Sequence, residues 1–150
     1  MVDVIIIYDT ITGTTAKAAA EVLAGVKASG AECIVKKVQE VSENDLVYPP
    51  GIILGSPNVN DTFSGRMRTF LEGPLKEARP WGKVGAAFGT YKWNQDNVRK
   101  LEVAMELQDI KIVAPGVNSL RHPTDEVAQR LRELGEAVGR EALKLKAVMK

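Results

Sequence analysis

The chain carries one cysteine and one histidine among 150 residues, and both scarcities remove chemistry. Cys33 alone offers no internal disulfide, no thiol pair and no Cys-based metal site, and it reads as a small buried residue in a strand. His122 stands singly beside Pro123, so it cannot build a metal site and reads as solvated. No apolar run approaches the roughly 18 residues that cross a membrane, so no membrane insertion is expected. Met1 is followed within three residues by an acid rather than a basic leader, which makes a cytoplasmic location the expectation. An excess of either charge is missing as well: 20 Lys and Arg stand against 19 Asp and Glu, a net charge of +1. Residues 1–75 lean acidic and residues 76–150 lean basic. That mild dipole lacks a basic stripe, so nucleic acid is not an expected partner.

What the chain does have is the length and apolar content, 45%, of one globular domain, expected to span residues 1–150. Its most informative stretch is the start. Val4 to Ile7 passes through Tyr8 and Asp9 into Thr10, Ile11, Thr12, Gly13, Thr14 and Thr15, and then into an alanine-rich helix. A buried strand turning into a helix there gathers hydroxyls, a glycine and the unpaired N–H groups of a first helical turn, which carries roughly +0.5 charge. An anion is the natural ligand. The stretch matches neither GxxxxGK[ST] nor GxGxxG, which removes nucleoside-triphosphate and dinucleotide readings and leaves a single phosphomonoester. A plain strand-to-helix connection uses the same residue types.

Apolar strands and amphipathic helices alternate along the rest. Strands are expected at 2–8, 32–38, 51–55, 83–88 and 110–113. Helices are expected at 15–29, from about Ser64 until Gly73-Pro74 interrupts, at 94–108, and from Thr124 onward, with only a turn or short helix between 42 and 50. The inward stripes read as Ala16, Ala19, Ala20, Leu23 and Val26 in the first helix, Val98, Leu101, Met105 and Leu107 in the third, and Val127, Leu131, Leu134, Val138, Leu145 and Val148 in the last. This alternation predicts an α/β fold: a doubly wound five-stranded parallel sheet, order 2-1-3-4-5, with helices on both faces. In that order the ligand site lies at the carboxyl ends of strands one and three, where the winding reverses.

Three loops meet there. Besides residues 10–15, the loop after the third strand, with Ser56, Pro57, Asn58, Val59, Asn60 and Asp61, exposes amides able to grip the polar edge of a flat ring. The loop after the fourth strand, with Phe88, Gly89, Thr90, Tyr91, Trp93 and Asn94, brings two aromatics beside a glycine, a platform for a planar heterocycle. Each loop alone reads equally as a polar surface connection. Together they describe a pocket for a phosphorylated flat ring such as flavin mononucleotide (FMN).

The chain resembles a flavodoxin. The phosphate-loop pattern [ST]-x-T-G-x-T is matched by Thr10, Thr12, Gly13 and Thr15. It more closely resembles the flavodoxin domain of flavodiiron proteins, the A-type flavoproteins, through Tyr8-Asp9-Thr10, Gly55-Ser56-Pro57-Asn58-Val59-Asn60, Ala87-Phe88-Gly89-Thr90-Tyr91-Lys92-Trp93 and Ala114-Pro115-Gly116. The resemblance implies that the first loop binds the FMN phosphate, that the second contacts the ribityl chain and ring, and that the third packs on the ring. Lys92 departs from that family's glycine between the aromatics, and a diiron domain with its His, Asp and Glu ligands is not encoded here.

No residue reads as a catalytic acid, base or nucleophile, and none as a metal ligand. The expected function is therefore that of an FMN-binding electron carrier between redox partner proteins, a reductase and an acceptor. The alternatives are an FMN-dependent NAD(P)H:quinone-type reductase and an FMN domain detached from a flavodiiron-type enzyme. A phospho-receiver module shares the topology but needs more carboxylates than Asp3 and Asp9.

Overall fold

The computed structural model describes residues 2–149. The densest apolar run decides where the sheet is centred. β1 (Val4–Tyr8) lies between β2 (Cys33–Lys37) and β3 (Gly51–Pro57), parallel to both, with Val4 opposite Cys33 on one side and Gly51 on the other. β3 pairs with β4 (Val84–Tyr91) from Gly51 against Val84 to Pro57 against Thr90. The far edge comes in two pieces. β5 (Lys111–Ile112) runs along the start of β4, and β6 (Val117–Leu120) along its end from Phe88 to Tyr91. The strand order is 2-1-3-4-5, all parallel, as the sequence predicts.

Two features differ from the expectation. The fifth strand is broken across Ala114-Pro115-Gly116, where proline has no N–H to give a ladder, and resumes as Val117–Leu120, too polar to read as a strand. β4 runs on to Tyr91, so Gly89, Thr90 and Tyr91 belong to the sheet rather than to a loop.

Alternate residues of each strand feed opposite faces. Val4 and Ile6 pack under α1 (Thr14–Ala28) and α5 (Asp125–Val148), while Ile5 and Ile7 pack against the side holding α2 (Glu43–Val47), α3 (Gly65–Phe70) and α4 (Asp96–Glu106). All four isoleucine and valine side chains are buried, each contributing about 1.5–3 kcal/mol.

The helix faces also shift. α1 buries Thr15, Ala18, Ala19, Val22, Gly25 and Val26, leaving Ala20 exposed and Ala16 and Leu23 only half-buried. The cause is contact with α5: a methyl at Gly25 would overlap the Arg132 carbonyl, and one at Gly135 the Val22 carbonyl. Glycine lets the two backbones touch, and this sets the rotation of α1. α5 correspondingly buries Ala128, Gly135, Gly139 and Ala142 beside Leu131, Leu134 and Val138, while Val148 is exposed, as is Leu107 after α4. Pro74 does not end its helix. A wider π-type turn, Leu71–Leu75, makes room for the ring, and Gln108 Nε2 donates to the Leu71 carbonyl at 2.8 Å.

At the start of the sheet the buried Asp3 carboxylate accepts from the Glu32 N–H at 2.8 Å and from the Lys146 ammonium at 2.9 Å. Burial works to raise the Asp3 pKa, but these partners outweigh it and hold the group below its ordinary range. Cys33 is half-buried in β2, and desolvation pushes its thiol up to about 12. Among the described residues no helix is long and apolar enough to cross a membrane.

Candidate functional site

At the carboxyl ends of β1, β3 and β4 the polar loops enclose a cleft of about 350 Å³, within the size range of small-molecule sites. Its lining draws Ile11, Thr12 and Thr14 from the turn into α1, Pro57, Asn58, Asn60 and Asp61 from the end of β3 and the loop after it, and Thr90, Tyr91, Trp93 and Asn94 from the end of β4 and the loop after it. The three loops singled out in the sequence therefore do converge. Lys92 and Arg121 complete the wall.

The first loop leads into an uncapped helix start. Thr10 Oγ1 accepts the Gly13 N–H at 2.9 Å, and Gly13 adopts φ 90° at the N-cap of α1, a left-handed conformation that favours glycine. No side chain caps the helix and its first turn holds no acid. Among the described residues the N–H groups of Thr14, Thr15 and Ala16 have no acceptor. Three donors and the positive end of the helix dipole are thus left for a ligand. The Thr12 and Thr14 hydroxyls, 3.4 Å apart, stand beside them. Behind the loop the buried Asp9 carboxylate pairs with Arg66 Nε at 2.9 Å, which fixes the strand end that carries Thr10.

The second loop is a tight hairpin. Val59 and Thr62 form an isolated antiparallel bridge, and Asn60 and Asp61 between them hold φ of 51° and 62°. Positive φ at both central positions is the type I′ requirement, and Asn and Asp bear it better than other non-glycine residues. Asn58 Oδ1 accepts the Asp61 N–H at 2.9 Å and closes the turn. At the end of β4 Tyr91 is half-buried, whereas Trp93, in the loop that follows, is 83% exposed at the cleft rim.

Several expected site residues support the cleft rather than face it. Thr15 is buried with its hydroxyl 2.8 Å from that of Thr90, tying the phosphate-type loop to β4. Ser56 Oγ accepts the Ser64 N–H at 2.8 Å and donates to the Pro57 carbonyl at 2.9 Å. Gly89 leaves room for the Asn97 amide and the Ser56 carbonyl, which a methyl there would strike. Phe88 is a correction: alternation along β4 turns its ring into the core, where it lies fully buried against Gly55. It cannot present its face to a ligand.

Two residues escaped sequence reasoning. Asn97, in the first turn of α4, is fully buried. Its Nδ2 donates to the Ser56 and Thr90 carbonyls at 3.0 and 3.3 Å, and its Oδ1 accepts from Asn58 and Asn118 at 3.3 and 2.7 Å. It joins the second loop, β4 and β6. An asparagine inside a polar helix start carries no signal of burial. Arg121 follows β6, the strand the sequence did not reveal, so nothing located it at the cleft.

No family model matches the chain. It is 31% identical over 139 residues to a nitric oxide reductase of Moorella thermoacetica, covering 89% of this chain and 35% of that protein. Over 82 residues it is 34% identical to a flavodoxin of Aquifex aeolicus, covering 54% of this chain and 43% of the relative. The chain thus spans less than half the length of either relative. The solved structure of a flavodoxin from the domain Archaea superimposes with a TM-score of 0.89 at 24% identity, over 93% of this chain and 98% of that one. Sheet order and the archaeal structure show the flavodoxin-like fold, and the sequence similarities bear out the resemblance to the flavodoxin family.

Proposed function

We propose that the cleft binds FMN and that the protein carries electrons between a reductase and an acceptor. The observation that carries this reading is the uncapped start of α1, with three acceptor-less N–H groups, beside a cleft lined by Thr12, Thr14 and two aromatics. A phosphate monoester satisfies those donors, with the Thr12 and Thr14 hydroxyls completing its shell. Tyr91 and Trp93 would flank the ring, and amides of residues 58–61 would meet its polar edge. When bound, the flavin supplies the redox chemistry. The chain's own work is to orient the cofactor, hold its phosphate and shield the ring from water.

The test is a fluorescence titration of the protein with FMN and with riboflavin. FMN should bind at least about 100-fold more tightly, because riboflavin lacks the phosphate that the charge-assisted donors need, and flavin emission should be quenched. Gly13→Val should abolish that preference, since a β-branched residue cannot hold φ 90° at the N-cap. Equal affinity for the two flavins overturns the proposal. To separate carrier from NAD(P)H reductase, the loaded protein should oxidise NADPH only at a trace rate until a flavin reductase is added.

A further inference from the structure

The cleft is cationic on the side that carries the aromatics. Lys92, between Tyr91 and Trp93, and Arg121 both line it, both are exposed, and among the described residues neither side chain has a hydrogen-bond or ion-pair partner. Arg121 is held in place by its backbone. Its N–H donates to the Tyr91 carbonyl at 3.0 Å and its own carbonyl accepts from Ser119 Oγ at 3.0 Å, with φ at 57°. A non-glycine residue kept in the left-handed region marks a turn that the surrounding bonds impose. The one acid among the lining residues, Asp61, bonds toward α4, its carboxylate taking the Asp96 N–H at 3.3 Å and its backbone carbonyl the Lys100 ammonium at 2.8 Å, so the lining keeps a net charge of +1.

We infer that Lys92 and Arg121 bias bound FMN toward its reduced form. This rests on the proposed FMN site. Uptake of two electrons from the reductase and one proton adds one negative charge to the neutral oxidised ring. Two unpaired cations in the same cleft attract that anion and are indifferent to the neutral ring, so they tighten binding of the reduced cofactor and not of the oxidised one. By linkage the couple becomes easier to reduce. Both side chains are solvated, which limits the effect to about tenfold for the pair.

The experiment compares the parent with the double variant Lys92→Gln, Arg121→Asn; asparagine is chosen because it tolerates positive φ. Dissociation constants for oxidised and dithionite-reduced FMN are measured anaerobically, together with the two-electron potential. The variant should lose about tenfold in the ratio of oxidised to reduced dissociation constants, equivalent to a potential lower by about 30 mV. In the parent alone, raising the salt concentration should shift the ratio the same way, because screening weakens the same attraction. FMN binding with a ratio unmoved by the substitutions or by salt overturns this inference and leaves the FMN site standing. A chain that holds no FMN overturns both.

Discussion

Replacing Asn97 by alanine should damage stability and cofactor affinity together. The side chain is fully buried and makes four hydrogen bonds, to the Ser56 and Thr90 carbonyls and from the Asn58 and Asn118 amides. At a net 0.5–1.5 kcal/mol per bond the loss of four comes to about 2–6 kcal/mol. The cavity adds to it, while the Thr90 carbonyl and Asn58 Nδ2 keep other partners, Asn58 N and the Asn94 carbonyl. Against a typical total of about 5–15 kcal/mol this is a large fraction. Urea unfolding of the cofactor-free protein would measure it as a lower midpoint at unchanged slope. Asn97→Asp is the sharper probe: it keeps the two acceptor bonds but sets a carboxylate oxygen against two carbonyls, and should cost at least as much. FMN affinity should fall in both variants because the second loop and β4 lose their common anchor. A loss below about 1 kcal/mol for Asn97→Ala would refute the view that this residue holds the cleft together.

Two further outcomes follow from the geometry. Asn60 at φ 51° should rank Gly and Asn above Ala, with Asn60→Ala costing about 1 kcal/mol and Asn60→Gly neutral or slightly stabilising in urea unfolding; equal stability of all three would contradict the type I′ turn. Lys146→Met should destabilise the protein at neutral pH, and that difference should vanish at both extremes. Asp3 has a lowered pKa, so its contribution is present above the ordinary value of 3.8 and lost as pH falls below it, while Lys146 has a raised pKa and its contribution fades as pH climbs beyond 10.5. A Lys146→Met difference that persists once Asp3 is fully protonated would show that the ion pair is not its source.

The cleft's loops were legible because each is a sharp change of chemistry: apolar runs ending at Tyr8, Leu54 and Phe88 give way to Thr, Gly, Asn and Pro. Sheet order followed from the same runs. What stayed hidden depends on contacts between distant segments. The rotation of α1 is set by Gly25 meeting the Arg132 carbonyl, and in a helix with six alanines the apolar pattern carries little phase information. Val117–Leu120 forms a strand only because β4 offers it an edge, and Arg121 went unnoticed with it. Asn97 looks like an ordinary polar helix start until the tertiary fold brings two carbonyls and two amides around it.

The split fifth strand bears on how the protein behaves among its own copies. An unbroken outer strand would present a straight ladder of free N–H and C=O groups to any neighbouring molecule. Here that border is two residues, a gap containing Pro115, and four residues, so a second chain cannot zip along it. The opposite border, β2, closes with Lys36, ion-paired with Asp45 at 2.7 Å, and Lys37, an exposed edge charge that repels an approaching strand of like kind. Both rims are blunted by different means, which favours a chain that resists edge-to-edge aggregation even when crowded.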